Sequence, residues 1–373
     1  MAVRLLMFGL SSVTFGGIEA FVLTMNRHLQ EEQIYFDYVF LDKDELIHRE
    51  SIQSMGGRVL FLPYYVRQPF AYVARLYRML KEEKGNVDAV YVNLFSLVHI
   101  LPVVVARLLG MKVIVHAHNN NIQHQNPIYR TLNAIGKHVC ASFRALRLSN
   151  SDASTRFMYP KKRWAETQIV YNAIDVDRYR YRPEVREAQR KALGVEGKFV
   201  VGFSGRLALQ KNPLFVIDIF KAFHQNHPDS VLLMVGEGPL MQQVKDHIPA
   251  DLQENVQLLG RQADMPALYQ AMDAFLLPSL FEGLGIVLVE AQAAGLPCLT
   301  SAKVVPDLVN VTDLLQRADL KAQPEEWADK LADMRQQNTP REAYCEQVKK
   351  SHFNIHVEAS RFAQRLRQFV EAD

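Results

Sequence analysis

Short apolar runs alternate along the chain with longer stretches in which apolar residues recur every three or four positions. The runs at 3–9, 35–41, 59–62, 89–92, 112–116 and 145–148 predict strands in the first half. Those at 199–203, 231–235, 256–258, 274–277 and 297–300 predict strands in the second. None alternates apolar with polar residues, which is the pattern of parallel strands covered on both faces. Helical periods follow the first run of each half, at 18–29 and 215–223, and an amphipathic helix is predicted over 354–369. The repetition predicts an α/β protein with two Rossmann-like domains, 1–175 and 192–350, and a terminal helix within 351–373. The polar, Arg-rich stretch 175–191 reads as the linker.

Composition narrows the class. A chain of 373 residues, 49% hydrophobic and 22% charged, is long and apolar enough for two folded domains. The most apolar stretch, 98–115, is broken by His99, Pro102, Arg107 and Lys112, so no membrane span is expected. The apolar start runs into Ser11 and Ser12 and reads as a buried strand rather than a signal peptide. Cys140, Cys298 and Cys345 have neither pairing nor metal-ligand spacing, which suggests a reducing, cytoplasmic setting. The net charge of +3 conceals an asymmetry: 22 Lys and Arg against 15 Asp and Glu in residues 1–180 give +7, and 21 against 25 beyond give −4. A basic first half suggests an anionic partner or surface. Residues 64–84 mix Tyr64, Tyr65, Phe70, Tyr72 and Tyr77 with Arg67, Arg75, Arg78, Lys81 and Lys84, which suits a peripheral contact with an anionic membrane or an ordinary half-exposed helix. No nucleic-acid motif accompanies the charge, and nucleic acid is not an expected partner.

Three constellations carry candidate chemistry. Phe15-Gly16-Gly17-Ile18-Glu19 lies between the first strand and first helix. Glycines there let a bulky anion approach the backbone, with unpaired N–H groups at the helix start; the alternative is a turn that binds nothing. The run departs from G-x-G-x-x-G, which argues against a dinucleotide enzyme. Arg206 and Lys211 follow the strand that opens the second half, at the sheet edge where open α/β folds bind ligands. Two cations suit a diphosphate, unless they are merely solvated. The third constellation is Glu282 and Glu290, separated by Gly283-Leu284-Gly285-Ile286-Val287-Leu288-Val289. A carboxylate inside so apolar a helix as that of Glu290 needs partners, either a sugar or ribose hydroxyl or an internal Arg. His118 ends an apolar strand and reads as a residue of the sheet edge, structural or functional; His116 reads as core. Asp42-Lys43-Asp44 and Asp175-Val176-Asp177 match a metal-binding pattern that arises easily by chance, and no metal is expected.

The Glu282–Glu290 stretch resembles the E-x7-E motif of glycosyltransferase family 4, retaining enzymes built of two facing Rossmann-like domains, the GT-B architecture. The resemblance extends to Gly16-Gly17-x-Glu19, His116-Ala117-His118-Asn119, Val170-Tyr171-Asn172-Ala173-Ile174-Asp175, Gly205-Arg206 with Lys211, and Val235-Gly236-Glu237-Gly238. It is strongest with the bacterial exopolysaccharide and capsule branch. It implies that the C-terminal helix crosses back to the N-terminal domain, that the first domain binds the acceptor, and that the second binds the nucleotide sugar. Residue by residue, it implies that Arg206 and Lys211 bind the donor diphosphate, Glu290 the ribose, and Glu282 the transferred sugar. Backbone N–H groups of Gly283, Leu284 and Gly285 complete that pocket, Gly16 and Gly17 close over the diphosphate, His118 lies at the sugar, and Arg261 falls at the base.

The activity so implied is metal-independent, retaining transfer of a hexose or N-acetylhexosamine, from a UDP-sugar rather than a GDP-sugar, to a glycan or lipid-linked acceptor. The chain departs from the family at Ala302-Lys303-Val304-Val305-Pro306-Asp307, where many members carry a glycine pair and Pro-Glu. Two other readings share the donor site: a nucleotide-sugar epimerase or hydrolase, and a non-catalytic nucleotide-sugar-binding subunit.

Overall fold

In the first half of the chain, strands β1 (Val3–Phe8), β2 (Ile34–Leu41), β3 (Val59–Leu62), β4 (Ala89–Leu94), β5 (Val113–Ala117), β6 (Leu146–Ser149) and β7 (Gln168–Ile169) form one sheet. Its order is β3-β2-β1-β4-β5-β6-β7, with every pairing parallel. In the second half, β8 (Phe199–Ser204), β9 (Ser230–Val235), β10 (Val256–Gly260), β11 (Ala274–Leu277), β12 (Cys298–Ser301) and β13 (Leu315–Ala318) form another. That sheet runs β10-β9-β8-β11-β12-β13, again all parallel. Strand order reverses between β1 and β4 in the first sheet and between β8 and β11 in the second. Such switch points open a crevice at the carboxyl ends of the strands. The computed structural model describes residues 2–11, 17–41, 46, 49–65, 67–118, 127–337 and 339–372.

The contacts divide the chain into two units, residues 1–174 with 355–373, and residues 175–354. The terminal helix Ile355–Glu371 belongs to the first unit. Its Ile355, Ala359, Phe362 and Leu366 are buried in one cluster with Leu5, Phe36 and Tyr91 of the first sheet. The spacing of those four residues is the apolar stripe visible in the sequence. The helix is tied down at its start, where the Ile355 N–H donates to the Ile174 carbonyl at 3.0 Å.

The stretch read as a linker is instead the opening of the second unit. Residues 183–193 form the helix Pro183–Leu193. Arg186 and Arg190, which look solvated in the sequence, both pair with Asp273, and Arg190 also donates to the Ala271 carbonyl at 2.9 Å. The two guanidinium groups are stable there because their terminal nitrogens meet the Asp273 carboxylate and backbone carbonyls, including those of Met272 and Val195. Strands β7 and β13 escaped the apolar pattern because one has two residues and the other reads Leu-Gln-Arg-Ala. The three cysteines are buried and free. Among the described residues, no helix is long and apolar enough to cross a membrane.

Candidate functional site

In the second unit, the site is built from the loops that leave β8, β9 and β11. The turn after β8 lies directly against the turn after β9. The Gly205 N–H donates to the Val235 carbonyl at 3.0 Å, and the Leu207 N–H donates to the Glu237 carbonyl at 3.0 Å. A Cβ at Gly236, whose φ is +134°, would stand 2.0 Å from the Gly205 carbonyl oxygen. A Cβ at Gly238 would stand 2.3 Å from that of Leu207. These two glycines are therefore required by close backbone approach. They fix where Arg206 leaves the sheet: it is exposed, and its guanidinium makes no hydrogen bond or ion pair with any described residue.

Lys211 and Glu282, 71 residues apart, meet as an ion pair. Their side chains are 15% and 5% exposed, so both have lost most of their hydration. The Ser279 hydroxyl donates to Glu282 Oε1 at 2.8 Å. The two loops are stitched further by the Leu280 N–H to the Gln210 carbonyl at 2.8 Å and by Gln210 Nε2 to the Phe281 carbonyl at 3.1 Å.

Glu282 leads into Gly283, Leu284 and Gly285, and then into the helix Ile286–Ala293. Gly285 caps that helix with a φ of +79°, a left-handed conformation that favours glycine. The N–H groups of residues 283–285 have no described acceptor, and they precede the positive end of a helix. A cation, a carboxylate and a row of N–H donors therefore share one sheet edge. That set can hold an anionic diphosphate and the hydroxyls of an attached sugar at the same time.

Glu290 sits one helical turn further in. It is half-buried, and the groups nearest its carboxylate are tyrosines rather than an Arg. The Tyr269 hydroxyl donates to Oε2 at 2.9 Å, and Tyr179 lies close enough to help stabilise the charged carboxylate. Burial raises the Glu290 carboxyl above the usual glutamate range, while the two hydroxyls and the charges of Arg178 and Lys211 pull it back in part. Arg261 is exposed at the end of β10. Asp177 is engaged with Lys349 at 2.6 Å and Arg180 at 3.2 Å.

In the first unit, Gly17 opens the helix Gly17–Glu31, and the buried Glu19 carboxylate accepts from the Ser11 N–H at 3.2 Å. Gly16 and the Asp42-Lys43-Asp44 match lie outside the described residues. His118 follows β5 at its carboxyl end, at the sheet edge as read, but it is buried there, only 7% exposed, rather than open to solvent. Its ring lies 4.0 Å from that of His116, which is buried as expected and shares a 2.5 Å hydrogen bond with the Tyr91 hydroxyl. Burial holds the His118 imidazole down to about 3, so the ring is neutral at physiological pH. Asn93 fixes its tautomer. The Asn93 amide nitrogen donates to the Phe8 carbonyl at 3.1 Å, which turns its oxygen to accept from His118 Nε2 at 2.8 Å. His118 Nδ1 is then the unprotonated nitrogen, without a partner among the described residues.

Sequence reasoning missed Tyr179, Tyr269, Ser279 and Asn93. Of these only Asn93 carried a signal, as a polar residue near the carboxyl end of an apolar strand. Two family profiles match the chain: Glycosyltransferase Family 4 over residues 15–178 and Glycosyl transferases group 1 over residues 185–351. The chain belongs to glycosyltransferase family 4. Among its relatives is the glycosyltransferase EpsF of Bacillus subtilis (strain 168), 25% identical over 353 residues, which cover 91% of this chain and 90% of that one. A second is the UDP-Gal:alpha-D-GlcNAc-diphosphoundecaprenol alpha-1,3-galactosyltransferase of Escherichia coli, 31% identical over 239 residues, 61% of this chain and 60% of that one. The fold matches the crystal structure of Anabaena Alr3699/HepE in complex with UDP, at a TM-score of 0.76 and 20% identity, covering 98% of this chain and 100% of that one. Of the candidate residues, Arg206, Lys211, Arg261, Glu282 and Glu290 fall in the second matched segment, and Gly16, Gly17 and His118 in the first.

Proposed function

We propose that this glycosyltransferase moves a hexose or N-acetylhexosamine from a UDP-sugar to a glycan or lipid-linked acceptor, with retention of configuration and without a metal ion. The setting is bacterial exopolysaccharide or capsule synthesis on the cytoplasmic face of the membrane. The observation that carries the reading is the Lys211–Glu282 pair at the mouth of the glycine-led helix Ile286–Ala293. The choice of UDP is supported by the UDP complex of the Anabaena protein and by the UDP-galactose in the name of the Escherichia coli relative. That same name supports a lipid-linked acceptor.

The roles follow from where charge develops. As the anomeric bond breaks, the sugar gains oxocarbenium character and the diphosphate gains negative charge. Lys211, Arg206 and the N–H groups of Gly283, Leu284 and Gly285 stabilise the leaving diphosphate. Glu282, held by Lys211 and Ser279, orients the sugar hydroxyls, and Glu290 the ribose. Arg261 meets the base. The family resemblance assigns Gly16 and Gly17 to the diphosphate and His118 to the sugar, and a neutral, tautomerically fixed His118 acts as a hydrogen-bonding group rather than as a cation. Retention arises by front-side attack, the departing phosphate oxygen taking the acceptor proton. In this reading the cations take the place of a metal.

A thermal-shift panel of UDP, GDP, ADP and their sugars, run in EDTA, tests the donor site. A shift with UDP and UDP-sugars that survives EDTA and disappears in Arg206→Ala supports it. No shift with any nucleotide overturns it. Binding without sugar transfer to any acceptor would instead identify a non-catalytic subunit.

A further inference from the structure

A cavity of about 400 Å³ opens at the carboxyl edge of the first sheet, at the switch point between β1 and β4. Phe8 of β1 and Gly9 after it, Leu41 of β2, Leu62 of β3 and Asn93 of β4 form its base, and the helix Pro69–Glu83 forms one wall through Tyr72 and Val73. This is the position at which open α/β sheets take ligands, and the volume is that of a ligand pocket.

Its chemistry is unusual for a sugar site. Among the described residues, no Asp, Glu, Lys or Arg lines it. Both ends of the Asn93 amide are already used, on Phe8 and on His118. Burial lowers the His99 imidazole, which leaves that ring uncharged. A bare sugar carries a hydroxyl on nearly every carbon, and each one needs a partner once it leaves water. Besides Asn93, the described side chains of the cavity offer only the Tyr65 and Tyr72 hydroxyls and the His99 ring, too few for a sugar, and its aromatic and aliphatic walls suit hydrocarbon.

Positive charge lies next door. A second cleft, of about 360 Å³, shares Leu62 with the cavity and is lined by Arg75 and Arg78. Arg75 is only loosely engaged, with Glu82 at 3.8 Å. Phe70, at the start of the same helix, is 90% exposed. An apolar chamber and a dibasic cleft that meet at one side chain complement an amphiphile with an apolar chain and a phosphate head.

We propose that this cavity takes the hydrocarbon chain of a lipid phosphate, the carrier of the acceptor, while Arg75 and Arg78 meet the phosphate. The inference rests on the reading of a lipid-linked acceptor and gives it a place in the first unit.

The test titrates farnesyl phosphate, below its micellar concentration, into the full chain by calorimetry, with inorganic phosphate as the comparison. Each buried methylene favours binding, so farnesyl phosphate is expected to bind at least ~10-fold more tightly than inorganic phosphate. Val73→Trp, at a position 43% exposed, fills the mouth and should weaken the farnesyl compound by roughly 10-fold while leaving inorganic phosphate unchanged. The double variant Arg75→Gln/Arg78→Gln should weaken both ligands. Equal affinity for the two ligands overturns the inference. So does normal farnesyl phosphate binding in both Val73→Trp and Leu101→Trp. The UDP thermal shift is measured in the same variants and should be unaltered. Loss of UDP binding by the unmodified chain would strike the donor reading alone, and farnesyl phosphate binding would still support the cavity.

Discussion

Lys211 and Glu282 have each been taken largely out of water, and neither is stable there without the other. Lys211→Ala leaves the Glu282 carboxylate with only the Ser279 hydroxyl. Removing one partner of a buried pair costs roughly 3–5 kcal/mol, and a loss towards the lower end, since Lys211 keeps some exposure, should appear in urea unfolding of the second unit. Lys211→Met combined with Glu282→Gln should recover most of it, whereas sugar transfer should fall at least ~10²-fold in either case because the charges act on the transition state. Glu290 gives a pH prediction. Burial raises its pKa and the Tyr269 hydroxyl lowers it, so Tyr269→Phe should raise it further. If ionised Glu290 holds the ribose, UDP affinity grows as pH rises through that pKa. The midpoint of affinity against pH should then move to higher pH in Tyr269→Phe, and an unmoved midpoint would remove Glu290 from the ribose. Each of these acids could be singled out from its apolar or glycine-rich surroundings in the sequence. Their partners could not, because Lys211 is 71 positions from Glu282 and Tyr269 is 21 from Glu290, and only the order of strands brings them together.

At the scale of elements, the contact of the β8 and β9 turns is held by glycine where any side chain would collide. Gly236→Ala is strained both by its positive φ and by the Gly205 carbonyl. It should displace the 205–206 turn and abolish the UDP thermal shift, and a retained shift would show that the turn does not position Arg206. The Val235-Gly236-Glu237-Gly238 run was legible in the sequence only as a likeness; the structure supplies its steric cause. The terminal helix presents the opposite case, an acid in an apolar stripe. Glu358 is 1% exposed, accepts from the Tyr171 N–H at 3.3 Å, and has Arg361 no nearer than 3.9 Å. Burial raises its pKa in the folded chain; Arg365, the Tyr171 N–H and Arg361 offset this only in part. A folded pKa above the unfolded one means that folding favours the protonated acid. Its contribution is therefore fully present below the unfolded value and is lost as pH rises through the folded one. Glu358→Gln keeps an acceptor for Tyr171 and removes the charge. It should raise the Tm at pH 7, and the difference should close as the pH falls through the carboxylate range. Periodicity placed this helix to within a residue or two but gave no account of Glu358, because an apolar stripe does not reveal which polar positions the stripe encloses.

At the scale of the whole molecule, the chain leaves the first unit after Ile174 and returns to it at Ile355, so both termini serve one core. The sequence pattern yields two repeated sheets but not this division of labour, since an Arg-rich stretch looks like a linker until Asp273 is seen to neutralise it. The proposed donor residues Arg206, Lys211, Glu282 and Glu290 all lie in the uninterrupted second unit. The first unit, by contrast, is completed only when the last helix is made. Calorimetry should separate these dependences. Truncation after Asn354 removes Ile355, Ala359, Phe362 and Leu366 from the core of the first unit, so its unfolding transition should fall sharply or vanish. The second unit keeps all of its core, and UDP should still raise its transition by mass action. If truncation abolishes the UDP-dependent shift as well, the nucleotide site does not reside in residues 175–354 alone. If it leaves the first transition untouched, the terminal helix is not part of that core.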